Sequence, residues 1–114
     1  MSEVSQILTI KAMDALALRQ SAIAENIANS GSQNYALKSV DFEAELRRAA
    51  ESGPDAIRKF VAKIETSGPM QSGDEIRLDL EMQSASATAM RYAALSDLLN
   101  RQMQLARTAV RGGQ

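Results

Sequence analysis

The segment from Leu78 to Val110 reads LDLEMQSASATAMRYAALSDLLNRQMQLARTAV. It contains neither glycine nor proline, so no residue in it is a strong helix breaker. Apolar and small residues recur along it at alternating spacings of four and three, the pattern of a helix with an apolar seam. At about 1.5 Å per residue, this helix is expected to be about 50 Å long. The predicted seam consists of Leu78, Met82, Ala85, Ala89, Tyr92, Ser96, Leu99, Met103, Ala106 and Val110.

A second apolar row runs beside this seam, about 100° further round the helix. A helix with two adjacent apolar rows needs more than one neighbour. In a chain of 114 residues, some of those neighbours are expected to be other copies. The second row consists of Leu95, Leu98, Leu105 and Ala109.

Residues 2–29 predict another long helix, which is rich in alanine and keeps the same four-three alternation. Gln20 interrupts its apolar seam. It is either a tolerated polar residue at the edge of the seam or a register-setting hydrogen bond inside a buried bundle. The seam consists of Thr9, Met13, Leu16, Gln20, Ile23 and Ile27.

This first helix is expected to stop in an asparagine-rich segment. Asn29 to Gly31 has C-cap chemistry, because Asn and Gly tolerate the left-handed conformation. Asn26 and Asn29 lie three residues apart, so both side chains can approach the neighbouring backbone. Taken alone, the segment indicates a helix end and nothing more.

The middle of the chain is less regular. Asp41 is the predicted N-cap of a short helix over residues 42–49. Residues 55–65 fit either a short helix or a strand. Residues 75–80 alternate apolar and charged side chains, which favours an extended approach to the last helix.

The predicted fold is therefore mainly all-α. Long N-terminal and C-terminal helices are expected to pair as a coiled-coil-like bundle, with one or two short elements in an irregular middle segment. The chain is expected to be a single unit with an N-terminal helix in residues 1–30, a turn, short helix and loop in 31–77, and a C-terminal helix in 78–111.

Composition excludes most chemistry. The chain has no cysteine and no histidine, which removes thiolate nucleophiles, thiolate or imidazole metal sites and the commonest general base. The carboxylate pairs Glu43/Glu45 and Asp74/Glu75 are interpreted as solvated surface. No glycine-rich phosphate loop occurs. We expect no catalytic activity, no cofactor, no metal and no small-molecule substrate.

The formal net charge is −1, from 13 basic and 14 acidic residues, so no nucleic-acid partner is expected. Residues 1–10 lack the basic start and apolar core of a Sec signal peptide, and no apolar run reaches transmembrane length. Three interpretations remain: a self-assembling helical subunit, a cytosolic helical adaptor or chaperone, and a membrane-surface amphipathic protein. Mixed charge on both helices disfavours the last.

At Asn26-Ile27-Ala28-Asn29 the chain resembles the flagellar axial family, the rod and hook proteins of the bacterial flagellum. The first helix of that family typically ends in Asn-Ile-Ala-Asn, followed shortly by Thr-Pro-Gly-Tyr. Residues 32–35 read Ser-Gln-Asn-Tyr here, so Tyr35 is shared.

The last helix carries a second resemblance, to the rod proteins of the flagellar basal body. Their C-terminal helix has Glu-Met, then Arg-Tyr, then Leu-Leu-Asn-Arg. At compatible spacings this chain has Glu81-Met82, Arg91-Tyr92 and Leu98-Leu99-Asn100-Arg101.

The resemblance implies a non-enzymatic subunit of the proximal rod, exported without a cleaved Sec signal by the flagellar type III apparatus. Its expected location is the basal body, where the rod spans the periplasm, and its neighbours would be copies of itself, other rod proteins and the adaptor FliE. The expected packing and assembly residues are Met13, Leu16, Gln20, Ile23, Ile27, Met82, Tyr92, Leu95, Leu98, Leu99, Met103 and Leu105. The motif residues are Asn26, Ile27, Ala28, Asn29, Tyr35, Arg91 and Tyr92.

Overall fold

A computed structural model describes residues 2–68 and 76–112. The molecule is elongated, with extents of 67 × 27 × 14 Å, and its two long helices lie side by side. In chain order the elements are α1 (Glu3–Ala28), β1 (Lys38–Ser39), α2 (Glu43–Ser52), α3 (Pro54–Lys59), β2 (Glu65–Thr66) and α4 (Leu78–Gly112). The all-α prediction, with long terminal helices and an irregular middle, is confirmed.

Both long helices begin close to their predicted positions. The Ser2 side chain caps α1 by accepting a hydrogen bond from the Ser5 backbone amide at 3.1 Å. At the start of α4, Leu78 to Leu80 are already helical, so the extended approach predicted for them is wrong. The earlier part of that prediction, residue 75, lies outside the described residues.

The middle segment folds back onto α1. β1 and β2 pair antiparallel, with Lys38 opposite Thr66 and Ser39 opposite Glu65. The two interpretations of residues 55–65 each hold for part of the range, because α3 ends at Lys59 and the chain then runs to β2.

The first short helix starts later than predicted. The N-cap position of α2 is Phe42 rather than Asp41, and it has no side-chain capping bond. The Phe42 ring is buried in the core, 5% exposed, which fixes where the helix can begin. At the other end, Gly53 has φ of 117° and separates α2 from Pro54, the first residue of α3.

The hydrophobic core lies mainly between α1 and the middle segment. Ile57 of α3 is completely buried. α4 contributes little to this core, since only Leu95 packs against it and Thr88 is the one buried residue among the described residues of α4. The core cluster comprises Ala15, Leu16, Ala22, Val40, Phe42, Leu46 and Phe60. No helix among the described residues has both the length and the apolar character needed to cross a bilayer.

Candidate assembly interface

The side chain of Asn26 joins α1 to three later parts of the chain. Its Nδ2 donates hydrogen bonds to the Lys38 carbonyl oxygen at 2.7 Å and to Glu81 Oε2 at 3.2 Å. Its Oδ1 accepts from the Lys38 backbone amide at 2.9 Å and from the Tyr35 hydroxyl at 3.0 Å. Asn26 is 1% exposed, so this amide satisfies both its donors and its acceptor inside the protein. We call this group the Asn26 node.

Asn29 closes the end of α1. Its Nδ2 and its backbone amide both donate to the Glu25 carbonyl oxygen, at 2.9 and 3.0 Å. The prediction that both asparagines approach the neighbouring backbone holds for Asn29, whereas Asn26 bonds the backbone of Lys38, twelve residues away. The prediction of a left-handed residue between Asn29 and Gly31 is wrong, because Asn29 has φ of −105° and the positive φ of this turn, 60°, is at Asn34.

The two long helices run antiparallel. Asn26 lies beside Glu81, and six residues earlier in α1 the Gln20 Nε2 donates to the Ala85 carbonyl oxygen at 3.2 Å. Gln20 therefore makes the interhelical hydrogen bond that the second interpretation proposed, at a half-buried position. Its Oε1 is buried and accepts no hydrogen bond from the described residues.

The face of α4 that is turned toward α1 differs from the predicted seam. Polar residues lie on it as well, and one of them, Glu81, accepts a hydrogen bond from Asn26 of α1. A heptad pattern identifies apolar rows, but it does not show which row the neighbouring helix will cover. The buried and half-buried residues of α4 are Glu81, Ala85, Thr88, Leu95, Ser96, Leu99 and Gln102.

The expected packing residues fall into two groups. On α1, Leu16 and Ile23 are buried, and Met13, Gln20 and Ile27 are half-buried. On α4, Leu95 and Leu99 are half-buried, and Leu95 packs on the core rather than facing outward with the rest of its predicted row. The remaining α4 members are exposed: Met82, Tyr92, Leu98, Met103 and Leu105.

The motif residues are also divided between inside and outside. Asn26 is buried, and Ile27, Asn29 and Tyr35 are half-buried. Ala28, Arg91 and Tyr92 are exposed.

Sequence reasoning missed the cluster around Arg19. Its Nε and Nη2 donate to the Val40 carbonyl oxygen at 2.9 and 2.7 Å, and Nη2 also pairs with Glu43. The guanidinium carbon lies 4.7 Å from the centre of the Phe42 ring, a cation–π distance. The partners are 21 to 24 residues away in sequence, so no helical spacing could have predicted them.

Glu43 is expected to make stability depend on pH. Partial burial opposes its ionisation, but the hydrogen bond and charge of Arg19 outweigh this and lower its pKa. Ionised Glu43 therefore stabilises the fold above the unfolded-state pKa, and this contribution disappears as pH falls through the lowered folded-state value. The Glu43 side chain is 48% exposed, so the effect is small, about 0.5 kcal/mol.

The check is urea unfolding of the wild-type protein and Glu43→Gln at pH 7 and at about pH 3. The difference in unfolding free energy between the two proteins should shrink at the lower pH. An equal difference at both values would contradict a stabilising role for the ionised carboxylate.

Two open grooves flank the line where α1 meets α4. The larger, which we call the Tyr92 groove, has a volume of about 500 Å³. Its lining is almost entirely apolar or small, apart from the Gln20 amide and the hydroxyls of serine, threonine and tyrosine. The lining residues are Leu16, Ala17, Gln20, Ser21, Ala24, Thr88, Ala89 and Tyr92.

The second groove, which we call the Arg91 groove, lies on the other side and has a volume of about 330 Å³. Arg91 makes no ion pair with any residue in 2–68 or 76–112. Since consecutive helical residues point about 100° apart, the Arg-Tyr pair places one large side chain at each groove. The lining residues are Ala12, Leu16, Phe42, Glu43, Arg91, Ala94 and Leu95.

These features are contacts between elements and open apolar surface. The polar contacts join one element to another, and within the described ranges no three acidic side chains are placed to hold a metal ion. The helix pair is open on both flanks, and α4 exposes large apolar side chains along much of its length. The architecture is an elongated helix pair with two open grooves and exposed apolar side chains on α4.

Known proteins similar to this chain are flagellar rod proteins. The flagellar basal body rod protein FlgB of Cereibacter sphaeroides is 28% identical over 109 residues, covering 82% of this chain and 84% of that protein. FlgB of Bacillus subtilis is 27% identical over 111 residues, covering 85% of each chain. FlgB of Borrelia hermsii is 51% identical over 47 residues, which is 41% of this chain and 35% of that protein. No family model matches the chain.

These similarities support a FlgB-like flagellar basal body rod protein. Identity is modest where coverage is high and higher where coverage is short. The comparisons agree with the resemblance seen in the two terminal motifs.

Proposed function

We propose that this chain is a FlgB-type structural subunit of the proximal rod of the bacterial flagellar basal body. The observation that carries the proposal is its similarity to FlgB proteins over more than four-fifths of the chain. The fold agrees with a structural role, because the helix pair leaves two grooves and most of α4 uncovered.

The shared motif residues have mechanical roles in this proposal. Asn26 and Tyr35 bind the turn, β1 and α4 together, and so hold the C-terminal end of α1 and the beginning of α4 in a fixed relation. Arg91 and Tyr92 stand at the two grooves, where neighbouring subunits can contact them. Arginine and tyrosine are the side chains that most often dominate binding energy at protein interfaces.

In the assembled rod, the subunit transmits torque from motor to hook, and the rod lumen conducts later export substrates. The exposed row of Leu98 and Leu105 supplies contacts to neighbouring copies and to other rod proteins. The subunit reaches the periplasm through the flagellar type III export apparatus and joins the rod near the adaptor FliE. It needs neither a cofactor nor a small-molecule substrate.

The test is deletion of the gene followed by complementation. The deletion strain should be non-motile and should lack rods in isolated basal bodies, and the wild-type gene should restore both. A strain that keeps normal rods would refute the proposal. A soluble one-to-one cytosolic complex of this chain with another protein would favour the adaptor interpretation instead.

Tyr35→Ala is expected to lower motility while secretion of the protein stays detectable. The substitution removes the hydroxyl that donates to Asn26 at 3.0 Å and leaves the turn without its aromatic anchor. Tyr35→Phe is the matched control, since it keeps the ring and removes only the hydrogen bond. Soft-agar swarming and secretion assays measure the two effects. Full swarming by Tyr35→Ala would make Tyr35 an incidental loop residue.

A further inference from the structure

The C-terminal end of α4 packs against no other element in residues 2–68 or 76–112. Ala12 of α1 lies near Leu95 of α4, and Gln20 lies near Ala85. Continuing this antiparallel pairing places Glu3, the first residue of α1, about level with residue 104 of α4. We call Met103–Gly112 the α4 overhang. Every residue in it is exposed, including Leu105 at 61% and Val110 at 69%.

The overhang carries an apolar row of its own. Met103, Ala106 and Val110 follow one another at spacings of three and four, so they share one side of the helix. They continue the line of Leu99, which is half-buried beside α1. They are exposed because α1 does not extend far enough to cover them. A helix end of this kind gains stability when another surface covers its apolar row.

The Tyr92 groove is suited to receive a helix. Ala17, Ser21 and Ala24 form its α1 wall, and small side chains let the backbone of another helix come close. Spacings of four and three place these three residues on one side of α1. The groove is open to solvent and its lining surface is mainly apolar, so an apolar helix side could fill it.

We infer that the α4 overhang of a second copy of this chain occupies the Tyr92 groove. This inference rests on the proposed function, because it names one neighbour of a self-assembling subunit. Ala17 and Ala24 are seven residues apart, as are Met103 and Val110. With the incoming overhang parallel to the host α4, Met103 lies beside Ala24 and Val110 beside Ala17.

Hydrogen bonding favours this direction. In the parallel register, Arg107 comes level with Gln20, whose Oε1 is buried and lacks a donor among the described residues. Arg107 itself forms no ion pair within residues 2–68 and 76–112. A guanidinium group offers five N–H donors, so it can satisfy that oxygen.

Charge favours the same direction. Arg111 comes within one helical turn of Asp14, which is exposed and lies on the same side of α1 as Ala17. In the described structure, neither of these charged residues has an ionic partner. An antiparallel overhang would instead bring Arg111 near Glu25, which is already paired with Lys38.

The contact is head-to-tail, because it joins the overhang of one copy to the groove of the next. The α4 helix of the copy that provides the overhang is displaced from the α4 helix of the copy that provides the groove by about 20 residues, a stagger of about 30 Å along the helix axis. Each copy keeps a groove and an overhang for further copies. Contacts of this heterologous kind build rings or open helical arrays.

Cysteine cross-linking tests the contact directly, because the chain has no cysteine of its own. The variant Ala17→Cys/Val110→Cys should form a ladder of disulfide-linked oligomers under mild oxidation. A disulfide within one chain is not possible, since the two positions are about 30 Å apart along the helix pair and a disulfide requires Cα atoms within about 7 Å.

Two matched variants act as controls. Ala17→Cys/Thr108→Cys moves one thiol to the other side of the overhang while keeping it within two residues of Val110, and Ala24→Cys/Val110→Cys tests the antiparallel direction. Each should cross-link about tenfold more slowly than Ala17→Cys/Val110→Cys. Adding Asp14→Lys to that variant should slow it by a similar factor, and further adding Arg111→Glu should restore the rate.

Circular dichroism establishes that each variant keeps its helix before cross-linking. A ladder specific to the Ala17→Cys/Val110→Cys pair and sensitive to Asp14 supports the inference. Absence of the ladder, equal rates in all three double-cysteine variants, or a faster antiparallel pair overturns it. A chain that complements the deletion strain but forms no ladder keeps its rod role and loses this self-contact.

Discussion

Asn26→Ala is expected to lower the free energy of unfolding by about 3 kcal/mol, because it removes a fully buried amide and leaves several half-buried polar groups without their partner. The Lys38 amide and carbonyl, the Tyr35 hydroxyl and the Glu81 carboxylate all lose their bonds to this side chain. Urea unfolding followed by circular dichroism measures the loss. An unfolding midpoint equal to that of the wild-type protein would contradict the assigned role of the node.

Asn29→Ala is the matched control for this prediction. It removes an asparagine three residues away that is only half-buried and whose side chain bonds within the helix end, to Glu25 and Ser32. The expected loss is about 1 kcal/mol. A similar loss in both variants would show that the Asn26 hydrogen bonds stabilise the fold no more than those of Asn29.

Exchanging the amide of residue 26 and the carboxylate of residue 81 gives a second, independent check of the Asn26 node. Asn26→Asp is close in shape but removes two donors and places a negative charge beside Glu81. Adding Glu81→Gln removes the repulsion and supplies an amide donor in the reverse direction. Stability should recover in part, since the Lys38 carbonyl still lacks its former donor. No recovery would show that Asn26 and Glu81 do not act as a pair.

Leu99→Asp and Leu105→Asp are expected to fail at different stages of rod building. Leu99 is half-buried on the side of α4 that faces α1, so a carboxylate there must be desolvated without a partner. The subunit should lose its helix pairing and be absent from basal bodies. Leu105 is 61% exposed, so Leu105→Asp should change the free energy of unfolding by no more than about 0.5 kcal/mol.

Fractionation separates the two outcomes. If the row of Leu98 and Leu105 contacts a neighbouring subunit, as proposed, the Leu105→Asp protein should be exported and appear in the periplasm, yet fail to co-purify with basal bodies. Gln104→Asp adds the same charge to the polar outer side of the same helix turn and should assemble. If Leu105→Asp cells swim normally, the row of Leu98 and Leu105 is ordinary surface and contacts no other subunit.

The α1–α4 pair shows that periodicity can identify the apolar rows of a helix without showing which row faces the partner helix. The alternating spacing and the absence of glycine and proline predicted both long helices, because these features depend only on residues that are close together in the sequence. It placed Met82 and Met103 toward the partner helix, where the structure has Glu81 and Gln102 on the less exposed side. Which row faces α1 depends on hydrogen bonds supplied from α1, and a single helix contains no information about these.

The Asn26 node and the Arg19 cluster show the same limit. The asparagines near the end of α1 were visible as a pattern, and their position at the helix end accounts for the local contact of Asn29 with Glu25. The partners Lys38 and Glu81 lie 12 and 55 residues away, and Val40 lies 21 residues from Arg19. Such contacts depend on how the middle segment folds back onto α1, so they cannot be predicted from residue spacing within a helix.

The sequence by itself determined the two long helices, the absence of cysteine and histidine chemistry, and a surplus of apolar positions that one chain cannot cover. These follow from residue type and short-range geometry. Only the tertiary structure decided that the core lies between α1 and the middle segment, and that α4 remains exposed on two grooves and an overhang. The physical reason is that burial is shared among all elements at once. The middle segment covers one side of α1, α4 contacts α1 along one side only, and the remaining apolar surface of α4 stays exposed.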